Sequence, residues 1–276
     1  METNVIYNEN CLDTMSRMED NSIDCVVTSP PYFGQRIYSS NDDIGLEATP
    51  PQYIDSLMKV FAEVYRVLKP EGNVWVNIGD TYNGTKHGND NLKWKAVNTK
   101  DFKKEKWDGC KTKDLIGIPW MFAFAMRDRL GYYLRNDIIW NKPNALPEPV
   151  TDRLVKSYEH IFLFTKSSKY YFDCNAIQEN GGDGGKRNKR DVWSVNTTPS
   201  NISHSAMYPE ALIMPCILAG CPEGGIVYDM FMGSGTTGIV ALKCKRNFIG
   251  SELNPEYAEI ARQRTKDVMP AANGLF

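Results

Sequence analysis

The chain has 276 residues, 42% hydrophobic and 24% charged, with a formal net charge of −2. This is the profile of an ordinary soluble globular protein, large enough for one α/β domain with insertions. The near-neutral balance excludes a globally basic polyanion binder, and no apolar run approaches a membrane span. The opening METNVIYNEN lacks the basic and apolar regions of a secretory signal, so the expected location is the cytoplasm of a prokaryote or a phage-infected cell. The seven cysteines are scattered without a C-x-x-C pair and are read as reduced thiols; with three distant histidines, no metal site is expected.

The elements follow in chain order. NVIYNEN predicts a short strand and CLDTMSRM a short helix closed by the turn EDNS. IDCVVTS is a β-branched strand that runs into Ser29-Pro30-Pro31-Tyr32, where two prolines in a row remove two backbone donors and end it. PPQYIDSLMKVFAEVYRVLK carries apolar side chains at Ile54, Leu57, Met58, Phe61, Val64, Tyr65 and Leu68, the spacing of an amphipathic helix stopped by Pro70 and Gly72. NVWVNIGD is the next buried strand. Periodicity then vanishes from Thr81 to Lys113, a stretch with nine Lys against four acidic residues. A run this long without structure is usually a functional loop.

Order returns with the helix IPWMFAFAMRDRLG and the strands YYLRNDIIWN and EHIFLFTKS. Residues 166–203 are again irregular and include KRNKR at 186–190, four positive charges in five residues. Such runs are usually solvated loops and become phosphate contacts only when something else points to nucleic acid. The helix YPEALIMPCILAG, the strand GGIVYDMF, the loop MGSGTTG, the helix IVALKCK, the strand NFIGSEL and the helix PEYAEIARQRTKDV complete the chain. Strands alternating with helices predict a mostly parallel sheet with helices on both faces.

VYDMFMGSGTTG reads as a strand, a glycine turn and a helix start. Gly233 and Gly235 allow close approach of a ligand, and the helix N-terminus offers free N–H groups. Seventeen residues beyond Gly235 the next strand ends in Glu252, where doubly wound folds grip ribose hydroxyls. The loop lacks the lysine of a nucleotide-triphosphate site and the third glycine of a dinucleotide site. A nucleoside cofactor without a pyrophosphate fits best, and S-adenosylmethionine (SAM) is the candidate.

With both loops in view, the chain resembles the amino-group DNA methyltransferases, whose signatures are [DNS]-P-P-[YFW] and F-x-G-x-G. Here they stand as Ser29-Pro30-Pro31-Tyr32 and Phe231-Met232-Gly233-Ser234-Gly235. The catalytic loop precedes the cofactor loop, the order of the family's β class. The likeness extends through KDLIGIPW, LRNDIIWNKPN, RNKRDVW and SAMYPEALI.

The resemblance implies a Rossmann-like class I methyltransferase fold, circularly permuted, with a seven-stranded sheet. It divides the chain into a catalytic half, 1–165, with the basic loop 81–113, a target-recognition insertion, 166–203, and a cofactor half, 204–276. It makes Ser29, Pro30, Pro31 and Tyr32 catalytic, with Ser29 and the Pro30 carbonyl accepting from the target amine and Tyr32 stacking on the base. It assigns to the cofactor Asn10, Cys11, Asp229, Phe231, Gly233, Ser234, Gly235, Thr236, Thr237, Glu252, Ser205 and Ala206. Asn10 stands where the family commonly has Asp, and Met230 where it commonly has Pro.

Trp140 and Lys142 are expected to wall the base pocket, although Trp140 reads nearly as well as plain core. Lys103, Lys104, Lys186, Arg187, Lys189 and Arg190 are expected to meet phosphate. The partner is double-stranded DNA, with a cognate restriction endonuclease and a second copy of the chain left open. S-P-P-Y accompanies cytosine N4 more often than adenine N6 in this family, so N4 is expected and N6 is the alternative. An RNA or protein substrate comes third. Cytosine-C5 chemistry, which needs a cysteine nucleophile after a proline, is not expected.

Overall fold

The chain alternates strand and helix because its apolar residues switch period between two and about 3.6, and the computed structural model follows that switching closely. The structure describes residues 1–34, 44–84, 107–182, 184–197 and 208–268. In order these contain β1 (Val5–Tyr7), α1 (Cys11–Ser16), β2 (Ile23–Thr28), α2 (Pro50–Val67), β3 (Leu68–Ile78), α3 (Ile118–Leu130), β4 (Tyr133–Asn141) and β5 (Tyr158–Thr165). Then come β6 (Glu179–Asn180), β7 (Lys186–Arg187), β8 (Val192–Ser194), α4 (Glu210–Gly220), β9 (Ile226–Asp229), α5 (Thr236–Lys243), β10 (Asn247–Ser251) and α6 (Pro255–Lys266).

Eight strands form one sheet in the order β1-β10-β9-β2-β3-β5-β4-β8. All neighbours are parallel except the two pairings that β5 makes, with β3 and with β4. The last two strands of the chain therefore lie between its first two. The count is eight rather than the expected seven because β8, from the stretch read as irregular, pairs with β4 and buries Trp193 beside Trp140. β6 and β7 make a separate two-stranded ribbon.

Side chains alternate across the sheet as the pleat requires. Val26, Val74, Val76, Phe162, Phe164, Tyr228 and Ile249 face a core closed by α1, α2 and α3. Cys25, Val27, Trp75, Ile161, Leu163, Val227 and Phe248 face one closed by α4, α5 and α6. Helices thus cover both faces, and each wholly buried Leu or Phe in them contributes roughly 1.5–3 kcal/mol. α2 starts at a capping box between Thr49 and Gln52, with prolines at its first two positions. It passes straight into β3 at Leu68, five residues earlier than the sequence pattern suggested. Ile23 pairs with Leu68 and Cys25 with Asn73, so Lys69–Gly72 bulge out of the ladder and the strand resumes in register.

Candidate active site

Because β5 alone runs against the rest, the carboxyl ends of β1, β10, β9, β2, β3, β4 and β8 and the amino end of β5 share one edge. The loops after β2, β3 and β9 and the tip of β10 leave from that edge, where open α/β sheets bind their ligands, whereas the stretch 166–203 begins at the opposite edge, at the carboxyl end of β5.

The glycine loop is built around Asp229, the last residue of β9, which is 1% exposed. Its Oδ1 accepts from the Thr28 hydroxyl at 2.6 Å and the Phe231 N–H at 3.0 Å. Its Oδ2 accepts from Thr237 at 2.5 Å and Tyr208 at 3.1 Å. Burial pushes this carboxyl above its ordinary range, and these four donors pull the other way. Asp229 therefore lies behind the loop as a clamp, tying β9, the start of α5 and Tyr208 to Thr28, the residue before Ser29.

Gly233 and Gly235 have φ of +54° and +88°, values glycine adopts at no steric cost. A methyl group on Gly235 would sit 2.9 Å from the Ala261 Cβ, whereas on Gly233 the nearest atom would be 3.9 Å away. Gly235 thus packs the loop onto α6, and the space before Gly233 is open. Glu252, 8% exposed, accepts from Gly233 N–H through Oε2 and from Asn254 N–H through Oε1, both at 2.8 Å. Ser234 faces α6 instead, its hydroxyl and carbonyl both accepting from Arg264. Phe231 packs on the core, and Thr236 is buried at the start of α5. Asn10 caps α1 through the Leu12 N–H, and Cys11 is buried, its thiol pushed up to about 12. Ser205 and Ala206 lie outside the described residues.

The Ser29-Pro30-Pro31-Tyr32 loop follows β2. Pro30 is buried, the Pro31 carbonyl accepts from the Tyr53 hydroxyl at 2.8 Å, and Phe33 packs on the Tyr53 ring. The Tyr32 ring lies against Gly79, where an added methyl would come within 2.8 Å of it. Its hydroxyl donates to Glu159 Oε2 at 2.9 Å and has Asn77 Oδ1 at 3.3 Å. Burial and then the Glu159 charge hold the Tyr32 phenol well above its ordinary value. Glu159 Oε1 takes the ammonium of Lys142, which also lies 4.2 Å from the Trp140 ring centroid. Trp140 is 3% exposed and donates to the Val195 carbonyl, so one face packs as core while Lys142 covers the ring.

The basic ribbon is partly neutralised. Arg187 and Arg190 both reach Glu179, at 3.0 and 3.3 Å; Lys186 meets Asn180, and Lys189 lies over Trp193. Lys103 and Lys104 lie outside the described residues. The sequence does contain one Pro-Cys step, Pro215-Cys216, against the expectation that excluded it. It lies inside α4, where Cys216 is 1% exposed and burial raises its thiol well above the ordinary value, so it is core rather than nucleophile.

Sequence reasoning missed Glu159, Asn77, Thr28 and Tyr208. Glu159 and Asn77 had a faint signal: each is a polar residue in phase with one buried face of an apolar strand. Nothing local pointed to Thr28 or Tyr208, whose partner Asp229 is about two hundred residues from one and twenty-one from the other.

A family model described as DNA methylase, for the N6 and N4 enzymes, matches residues 23–263. The type II methyltransferase M.Cfr9I of Citrobacter freundii is 45% identical over 265 residues, covering 94% of this chain and 86% of that protein. M.XycI of Xanthomonas campestris pv. cyanopsidis is 46% identical with the same coverage. Among solved structures, the cytosine-N4-specific PvuII DNA methyltransferase superposes with a TM-score of 0.70 at 21% identity, covering 95% of this chain and 90% of that one. M1.HpyAVI, solved as a SAM complex, gives 0.62 at 18% identity, covering 94% and 98%. The structural likenesses establish the fold. The family model and the sequence relatives establish more: this chain belongs to the N6/N4 family of amino-group DNA methyltransferases, with the motif order of its β class.

Proposed function

We propose that the protein transfers a methyl group from SAM to the exocyclic N4 of a cytosine flipped out of duplex DNA. The observation that carries this reading is the direct tie between the two loops: Thr28, which leads into Ser29-Pro30-Pro31-Tyr32, is bonded to the clamp of the glycine loop. The residues present suit the cofactor. The backbone before Gly233 is open to a ligand, and the Glu252 carboxylate beside it is an acceptor suited to a ribose diol. When bound, SAM supplies an electrophilic methyl on a sulfonium.

The chain's own part is to prepare the amine. The amine is a poor nucleophile because its lone pair is delocalised into the ring. Ser29 and the Pro30 carbonyl accept its two hydrogens and turn the lone pair out of conjugation, with acceptor directions set before the base arrives. Flipping costs a few kcal/mol, and stacking on Tyr32 returns roughly 1–3 kcal/mol. Contacts from the 81–113 loop and the 186–190 ribbon to phosphate supply the rest.

Support for cytosine comes from the serine of the catalytic loop and from the cytosine-N4-specific PvuII enzyme among the structural relatives. Adenine N6 presents the same two hydrogens and is the second reading. Residues 166–203 are the proposed target-recognition insertion between a catalytic and a cofactor half. A cognate endonuclease, as the type II relatives suggest, and a self-associated form complete the proposal, with the protein working in a prokaryotic cytoplasm.

Unmethylated DNA incubated with the protein and isotopically labelled SAM, digested and read by nucleoside mass spectrometry, tests the assignment. Labelled N4-methylcytosine is expected. Labelled N6-methyladenine would move the base assignment, and failure on DNA containing every short target sequence would overturn the reading. Ser29→Ala should abolish most transfer while SAM binding by calorimetry stays unchanged.

A further inference from the structure

Resting on that reading, we propose that Gly79 is a positioning residue. Its missing side chain, with the tie that Glu159 and Asn77 make to the Tyr32 hydroxyl, seats the Tyr32 ring in the one pose on which the target base stacks. Gly79 follows β3 directly, two residues beyond Asn77. A methyl group built on it would lie 2.8 Å from Tyr32 Cε2 and 3.4 Å from Cδ2 and Cζ, and these three ring atoms are its nearest neighbours.

The backbone does not call for glycine here. Gly79 is not among the glycines with positive φ, so an alanine fits its conformation without strain. What a side chain at this position meets is Tyr32. Carbon atoms pack best at about 3.5–4.0 Å, so the overlap has to be relieved by moving the ring. The ring is held at both ends. Its hydroxyl donates to Glu159 Oε2 at 2.9 Å and has Asn77 Oδ1 at 3.3 Å. The Asn77 amide nitrogen is itself committed, to Glu159 Oε2 at 3.2 Å and the His160 carbonyl at 3.1 Å, which keeps Asn77 Oδ1 turned to the phenol. On the backbone side, the Pro31 carbonyl accepts from the Tyr53 hydroxyl at 2.8 Å. Tyr32 is nonetheless only half-buried, so surface remains for a base to cover. A platform fixed in advance avoids the cost of ordering the ring when the base arrives.

Gly79→Ala, read by single-turnover methyl transfer to DNA, tests this. The rate should fall by at least about tenfold, within the roughly 100-fold that a small misplacement at a reacting centre costs. SAM affinity by calorimetry should stay within about threefold, because the added methyl meets Tyr32 and not the glycine loop. The deciding measurement is the double variant Gly79→Ala with Tyr32→Ala. With no ring to displace, the added methyl should change the Tyr32→Ala rate by less than about threefold. A general disturbance at the end of β3 would instead lower the rate by the same factor in both backgrounds.

That equal loss, or a Gly79→Ala rate within about threefold of wild type, would overturn the proposal. If Gly79→Ala does not fold, Tyr32→Phe decides, since it keeps the ring and cuts its tie. A loss of about tenfold then supports the seat, and a rate within about threefold of wild type overturns it. A wild-type protein that transfers no methyl group to DNA in the same assay would overturn the reading beneath and this proposal with it. Transfer by wild type with an unaffected Gly79→Ala would overturn the proposal alone.

Discussion

Two carboxylates flank the Ser29-Pro30-Pro31-Tyr32 loop, and the sheet treats them in opposite ways. Asp229, on the cofactor side, is almost wholly enclosed and meets three hydroxyls and a backbone N–H, with no cation among its four hydrogen-bond donors. Glu159, beside Tyr32 of that loop, meets the Lys142 ammonium and the Tyr32 hydroxyl. A buried charge held by neutral donors is costly to leave uncompensated, so every donor must stay in place, and the result is rigidity. A carboxylate that meets a lysine has an opposite charge beside it and depends less on its neutral donors. The lesson is that burial alone does not set how a carboxylate is held: the more buried of the two ties the frame together through neutral donors, and the other is held by a cation.

The strongest test of this contrast is Asp229→Ala. It strands the Thr28 hydroxyl and the Phe231 N–H inside the fold and leaves the Thr237 and Tyr208 hydroxyls only each other. At about 1–3 kcal/mol for each unsatisfied group, less relaxation, a loss of about 3–5 kcal/mol is expected in urea unfolding, with SAM binding lost too. The Asn variant adds a pH signature. Burial raises the Asp229 carboxyl in the folded state above its unfolded value, so protonation favours the fold. The stability of wild type relative to Asp229→Asn should therefore move in favour of wild type as pH falls from neutral through that raised value. A gap that moved the other way would mean that Asp229 is stabilised as a carboxylate.

A smaller effect separates the two loop glycines. Gly235→Ala combines positive φ with a close approach to Ala261, and about 2 kcal/mol of stability should be lost. Gly233→Ala has positive φ but open space, so its stability loss should stay near 1 kcal/mol. Its SAM affinity should suffer more than that of a destabilised but folded protein. Equal behaviour in both assays would erase the distinction between packing glycine and ligand-facing glycine.

Lys142→Met comes next. The pair it breaks is 17% and 18% exposed at its side chains, so about 1 kcal/mol of stability is expected to go, with a larger loss in single-turnover transfer. A stability loss as large as that of Asp229→Ala would make the base-side pair a structural clamp as well. The smallest stability effect belongs to Arg187→Ala with Arg190→Ala. Both side chains are substantially exposed on the ribbon and share Glu179, so unfolding should change by less than about 0.5 kcal/mol. DNA binding should weaken, and its salt slope should drop by about 2. An unchanged slope would return the ribbon to solvated surface.

Much of the molecule was legible before any coordinates. The amphipathic stripe of α2, the proline stop after β2 and the glycine turn before α5 are local signals, and each element formed within a few residues of where its period ended. The early start of β3 escaped because a bulge is decided by the partner strand, and Leu68 finds Ile23 only in the sheet. β8 escaped because three residues with one tryptophan carry no period; its place was settled by the edge of β4, where Trp193 pairs with Trp140.

The same division runs through the site. Ser29-Pro30-Pro31-Tyr32, Gly233, Gly235 and Glu252 could be read off because their chemistry is written into contiguous residues: a stiff backbone, a missing side chain, an acid at a strand tip. What Asp229 clamps, and that Glu159 stands behind Tyr32, depends on residues far apart in the chain that meet only at the edge of the sheet. The sequence by itself determined the elements, the two loops and the family, since those follow from neighbours along the backbone. The tertiary structure alone decided which carboxylate is sealed and which is paired, since strand order brings those donors and charges together and sequence separation does not encode it.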